Sequence, residues 1–202
     1  MARPKASPEQ RAQVRRSIQS AAAELYREQG LSAISARAVA TKAGVSVGTI
    51  YSYFGDLTGL MQSLWTGRIA QVEDEFRALA GQHSDPIERI EALLRAYLDF
   101  GINQAVLYRN ALMFVRPTTL ETPDKQSLSE FAFPTLLRAA LLEGQSSGAI
   151  VEAEVDGLVQ VLWSGVHGAL ALPVNMDRLD LRDTKNITEP MVSALLRAVV
   201  RS

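Results

Sequence analysis

The 202-residue chain contains no cysteine, which excludes disulfides, thiolate nucleophiles and Cys-ligated zinc. It has only two histidines, His83 and His167, far apart in sequence, which argues against a His-rich metal site. No apolar run approaches the roughly 20 residues that a bilayer-spanning helix needs. Arg and Lys near the N-terminus have no apolar segment behind them, so no signal peptide is expected. Gly-rich phosphate loops and His-Glu-x-x-His spacings are missing as well. A soluble, cytoplasmic chain without metal or cofactor is the expectation, with no role at a membrane.

What is present is ordinary in bulk and uneven in placement. Hydrophobic residues make up 47% and charged residues 21%, as in a globular protein with room for one large domain or two small ones. Residues 1–55 carry eight Lys or Arg against three Glu, a net +5, while the rest of the chain carries a net −6. Such asymmetry suits a basic head that meets a polyanion, carried on a body that does not. Arg3, Lys5, Arg11, Arg15 and Arg16 supply much of that charge.

The punctuation is helical throughout. Ser7, Pro8 and Gln10 form a capping box with proline at the first helical position, ahead of Val14, Ile18, Ala21, Ala22 and Leu25 at helical spacing. Ser35 and Ser46 head two short segments, residues 36–43 and 47–54, separated by Gly44. Gly55 and Asp56 open a long helix to Gly81, and Asp85-Pro86 starts another. Further helices are expected over 104–115, 127–145 with Pro134 as a kink or restart, 152–172 closed by Pro173, and 189–201. No alternating strand pattern and no repeat occurs, so the fold class is all-α with about nine helices.

Two short helices across a Gly-containing turn make the helix-turn-helix pattern. In "AGVSVGTIYSYF" (43–54), Val45 and Ile50 face inward, leaving Val47, Gly48, Thr49, Tyr51, Ser52 and Tyr53 to project. Hydroxyls suit phosphate oxygens and flat or methyl surfaces suit thymine methyls, so this helix reads as one that enters a major groove. Ser35 and Ser46 place helix N-termini toward phosphates. Arg15 and Arg16 are expected phosphate contacts on the first helix. The alternative is a helical hairpin whose tyrosines cover core, in a protein-interaction module that does not bind DNA.

The stretch "SARAVATKAGVSVGTIYSYFGDLTGLM" (35–61) resembles the DNA-binding segment of the tetracycline-repressor (TetR) family of bacterial regulators. The later "LWSGVHGALAL" (162–172) resembles a Trp-His-Gly segment of one group of TetR-type C-terminal domains. The resemblance implies a helix-turn-helix DNA-binding domain over 1–55 and a ligand-binding and dimerisation domain over 56–202. It implies a homodimer on a pseudo-palindromic operator of double-stranded DNA, acting as a repressor that a small-molecule inducer releases. By position it adds Arg37 as a base or phosphate contact and supports Thr49, Tyr51 and Tyr53. The family often has Lys or Arg where this chain has Val47, and Lys where it has Leu57, which weakens the expected phosphate anchoring.

In the body, Gly157, Val161, Gly165 and Ala169 recur every four residues, with Gly168 beside them. With Met191, Leu195, Leu196 and Val199 they could form a four-helix dimer seam, or pack within one subunit. Candidate ligand contacts are Trp65, Tyr97, Phe100, Tyr108, Met113, Phe114, Trp163 and His167, with Asn103, Arg109 and Asn110 as further polar candidates. A mostly apolar pocket would suit an aromatic, acyl or drug-like inducer. Gly59 and Gly67 are expected to soften the long fourth helix that couples pocket to head. Ser164 and His167 lie three apart on one helix, yet no oxyanion loop or acidic partner accompanies them, so no enzyme is expected.

Overall fold

The computed structural model describes residues 7–29, 34–113, 130–176 and 178–201, without the side chain of residue 110. Among these residues there are nine α-helices and no strand beyond one isolated bridge, Ile150 to Val200. The helices are α1 (Pro8–Gln29), α2 (Ala36–Ala43), α3 (Val47–Phe54), α4 (Leu57–Ala80), α5 (Pro86–Asn103), α6 (Ala105–Leu112), α7 (Ala132–Ser146), α8 (Val155–Asn175) and α9 (Thr184–Val199). Contacts divide the chain into two units, Met1–Gly67 and Arg68–Ser202.

The first unit is built by local capping around one apolar cluster. Ser7 N–H donates to Gln10 Oε1 (2.9 Å) and Gln10 N–H donates back to Ser7 Oγ (3.2 Å), satisfying two of the orphan donors at the start of α1. Ser35 Oγ accepts from Ala38 N–H (3.1 Å) and Ser46 Oγ from Thr49 N–H (3.0 Å). Gly44 ends α2 with φ of 67°, a conformation that a Cβ would strain. These caps set the angle at which Ile18, Ala22, Val39 and Ile50 meet, and Leu60 at the start of α4 closes the cluster. Because Leu57, Leu60 and Leu64 pack there, the unit runs past residue 55, through the first turns of α4. Gln19 holds the same turns by donating to Ser63 O (3.1 Å) and Oγ (3.0 Å).

The second unit packs α5 against α7, α8 and α9. Its centre is aliphatic, with Ile90, Leu93, Leu94, Leu98, Leu137 and Leu141 fully buried. Ion pairs tie the rims: Arg89 to Glu143 (2.7 Å), Arg138 to Asp156 (2.8 Å) and Arg95 to Glu189. Burial of the aliphatic layer holds this unit together, since exposed pairs of this kind contribute about 0–1 kcal/mol each.

Pro134 marks a helix start, the second of its two expected roles: it lies in the first turn of α7, where a missing N–H costs nothing, and residues 127–129 lie outside the described residues. Two other prolines depart from the sequence expectation. Pro173 does not end α8 but lies inside it, and the Ala169 carbonyl that its absent N–H leaves unpaired accepts instead from Thr184 Oγ1 (3.1 Å). Pro190 likewise lies inside α9, which starts earlier than expected because Asp183 caps it through Lys185 N–H (2.9 Å). One apolar segment also exceeds expectation: α8, at 21 residues, is long and apolar enough to cross a membrane. Here Val159, Leu162, Val166, Ala169 and Leu170 of α8 are buried in the second unit's own core.

Candidate DNA-binding head and ligand cavity

α3 is eight residues long, and only Ile50 is fully buried in the head core. Tyr51 is 48% exposed, the largest apolar surface the helix offers, and Gly48 and Ser52 are exposed beside it. Thr49 is half-buried and its Oγ1 shares a hydrogen bond with Ser46 Oγ (2.8 Å), so both hydroxyls serve the cap. Val47 and Tyr53 pack against the core cluster. The projecting face is therefore narrower than the six residues expected. Ser35 and Arg37 are exposed at the start of α2.

Several basic groups of the head are already engaged. Arg15 Nη1 donates to the Tyr53 carbonyl (2.9 Å), and its guanidinium stands 4.5 Å from the centre of the Phe54 ring. Arg11 lies 5.4 Å over the Tyr53 ring. Arg16 donates to Gln13 Oε1 (2.9 Å). Lys42 sits between Glu28 (3.0 Å) and Glu24 (3.3 Å), and the hydrogen bond to Glu28 raises its pKa. Arg3 and Lys5 lie outside the described residues.

In the second unit, α5, α6 and α8 bring Tyr97, Tyr108 and His167 together across long sequence separations. Tyr108 Oη lies 2.7 Å and Tyr97 Oη 3.0 Å from His167 Nδ1. Burial pushes the Tyr97 phenol up to about 12 and raises Tyr108 as well. Burial lowers the pKa of His167 and favours the neutral imidazole, whose Nδ1 lies within hydrogen-bonding distance of both phenols. The Trp163 indole nitrogen is buried and meets no acceptor in hydrogen-bonding geometry among the described residues.

Beside this cluster a cavity of about 120 Å³ opens between α4, α5 and α7. Its walls include Phe76, Tyr97, Phe100, Phe133 and Trp163, with ring centres of Tyr97 and Phe133 only 4.5 Å apart. Tyr97, Phe100 and Trp163 of the expected ligand set thus line one space, and Tyr108 and His167 back it. Trp65 does not join them: it belongs to the first unit, edge-on to Tyr26 at 5.8 Å, because its turn of α4 faces α1. Met113 is half-buried and is not among the residues lining that cavity, and Phe114 lies outside the described residues. Asn103 and Arg109 are exposed.

Phe76 and Phe133 were not in the expected ligand set, and neither was the charged lining residue, Glu73 on α4. Its Oε1 accepts from Ala132 N–H (3.3 Å), capping α7, whose own cap residue Phe131 offers no side-chain acceptor. The signal was available, since Glu73 falls between Ile69 and Phe76 on the apolar face of α4.

The expected dimer residues divide. Ala169 (6% exposed) and Val199 (1%) are covered within the chain and present no surface to a partner. Gly165 serves an internal contact: a Cβ there would come within 2.7 Å of the Leu195 side chain. Gly157, Val161 and Gly168 are exposed on the other side of α8.

The first unit, short and capped with an outward α3, has the form of a helix-turn-helix head, and the second is an all-α body that holds a cavity. Residues 18–64 match the sequence profile of the family described as bacterial regulatory proteins, tetR family. That match covers the helix-turn-helix unit, from within α1 to within α4. The chain is similar to solved structures along nearly its whole length. The TetR family transcription regulator from Marinobacter aquaeolei VT8 is 21% identical, with 97% of this chain and 100% of that one covered and a TM-score of 0.60. The transcriptional regulator FadR from Bacillus subtilis, in complex with stearoyl-CoA, is 22% identical over 90% and 97%, at 0.67. RolR, in complex with resorcinol, is 18% identical over 96% and 90%, at 0.60. No curated protein sequence matches the chain.

Proposed function

We propose that the chain is a ligand-responsive repressor that binds a pseudo-palindromic DNA operator as a homodimer in the cytoplasm. The observation that carries this reading is α3, with Tyr51, Ser52 and Gly48 exposed on a helix whose other side is fixed to the head core. Arg11 and Arg15 hold the end of that helix and position its exposed face. Arg37 and the helix N-termini at Ser35 and Ser46 supply the phosphate contacts. The dimer forms on the exposed face of α8, along Gly157, Val161 and Gly168, where small residues allow close approach. Two heads must sit about 34–36 Å apart, or a multiple, to share one face of DNA. The inducer enters the cavity walled by Phe76, Phe100 and Phe133, is mostly apolar, and acts by favouring one placement of α4.

The engagement of Lys42 and Arg15 supports a second reading, a helical interaction module whose head has lost DNA. Selection of genomic and random duplex fragments by the purified chain at near-physiological salt separates the two. One recovered palindromic motif supports the regulator; salt-insensitive recovery of nothing specific, repeated after refolding to strip bound ligand, supports the module.

A further inference from the structure

Glu73 and the rings around it bear on what the cavity accepts, on the reading that this cavity is the ligand site. A carboxylate in an aromatic enclosure needs a positive partner, and the rings offer their negative faces to the same charge. Phe76 and Phe133 stand with centres 5.4 Å apart, and Tyr97 and Trp163 extend the wall on either side of Phe133. Among the described lining residues Glu73 is the only charged group; no Lys, Arg or His accompanies it. Arg77 Nη2 reaches Glu73 Oε2 from outside at 3.4 Å, but Arg77 is about half exposed and held more closely by Asp74, at 2.8 Å. The Glu73 side chain is 22% exposed, so its charge acts through a partly desolvated medium.

We infer that the cavity selects aromatic or lipophilic amines in their protonated form, with the ammonium at Glu73 and the apolar part against Phe76, Phe133 and Trp163. Acyl chains with an anionic head, such as the thioester in the similar FadR complex, are selected against here. A carboxylate or phosphate placed beside Glu73 meets like charge, and no cation among the described lining residues offsets it.

A matched set of three probes tests this by calorimetry on the full chain: 2-phenylethylammonium, propylbenzene and 3-phenylpropanoate. The ammonium is expected to bind about ten-fold or more tightly than the neutral probe, and the carboxylate more weakly than either. Glu73→Gln keeps an acceptor for Ala132 N–H and removes the charge, so it should preserve thermal unfolding and erase the preference. A carboxylate that binds the wild type as well as the ammonium overturns the proposal. So does an ammonium that does not bind, or that binds Glu73→Gln undiminished. If the variant fails to fold, the wild-type order of the three probes alone decides. None of these measurements uses DNA, so a failed operator selection would remove the regulator reading and leave this result standing.

Discussion

Gly59 and Gly67 occupy the same helix, two turns apart, and substitution to alanine should move stability in opposite directions. At Gly59 an added Cβ would lie 2.2 Å from the Phe54 carbonyl oxygen and 3.3 Å from its carbon. Both are backbone atoms at the end of α3, fixed by the packing of Ile50 and Phe54, so the contact is relieved only by moving α4 away from α3 by about 1 Å. That movement also stretches the bond from Gly59 N–H to Asp56 Oδ1, now 2.6 Å, which caps α4. Overpacking costs about 1–3 kcal/mol and a weakened cap about 1 kcal/mol, against about 1 kcal/mol gained in helix propensity. Gly59→Ala should therefore destabilise the chain by about 1–3 kcal/mol. Gly67 has nothing within 4 Å of its Cβ direction, so Gly67→Ala keeps only the propensity gain, up to about 1 kcal/mol. Urea unfolding followed by tryptophan fluorescence measures both, with Trp65 reporting the head. Gly59→Ala as stable as the wild type would refute the argument that this glycine serves close approach rather than helix softness.

Other outcomes follow from the same contacts. Arg37→Ala should reduce the slope of log affinity against log salt by about one unit, whereas Lys42→Ala, whose ammonium is held by Glu24 and Glu28, should leave it nearly unchanged; binding titrations over a salt series decide. Burial sets the His167 pKa below its ordinary 6.5, so the unfolded chain takes up this proton first as pH falls. The stability this residue contributes is complete above 6.5 and lost as pH drops through that value toward the folded pKa. His167→Gln should remove this component from the difference between the two unfolding curves over pH 5–7.5. Val161→Asp should turn a dimer into a folded monomer by sedimentation, since Val161 is 52% exposed. Val199→Asp, 1% exposed, should impair folding instead.

Local signals made the head legible in sequence. The Ser7–Gln10 box, Ser35, Gly44 and Ser46 each act within a few residues and each appears as expected, as does Asp85-Pro86 at the start of α5 in the second unit. The prolines misled because their effect depends on distant partners: Pro173 is accommodated when Thr184, brought in by α9, takes the orphaned Ala169 carbonyl. For the same reason the sequence could not sort pocket rings from core rings. Trp65 and Trp163 look alike in an apolar helix, but one turn of α4 belongs to the first unit while α8 belongs to the second. The Gly-x-x-x spacing on α8 was visible, yet spacing cannot say whether the helix it admits is α9 of the same chain or α8 of another.

The measurement closest to the central claim is the affinity of the selected operator and of a scrambled duplex for the wild type and for Tyr51→Ala, over a series of salt concentrations. Tyr51→Ala should lose about ten-fold or more of the preference for the operator, as expected for a base or methyl contact worth about 1–3 kcal/mol. Its salt slope should stay unchanged, because Tyr51 releases no counterion. An undiminished preference in Tyr51→Ala would contradict the assignment of α3 as the helix that reads DNA.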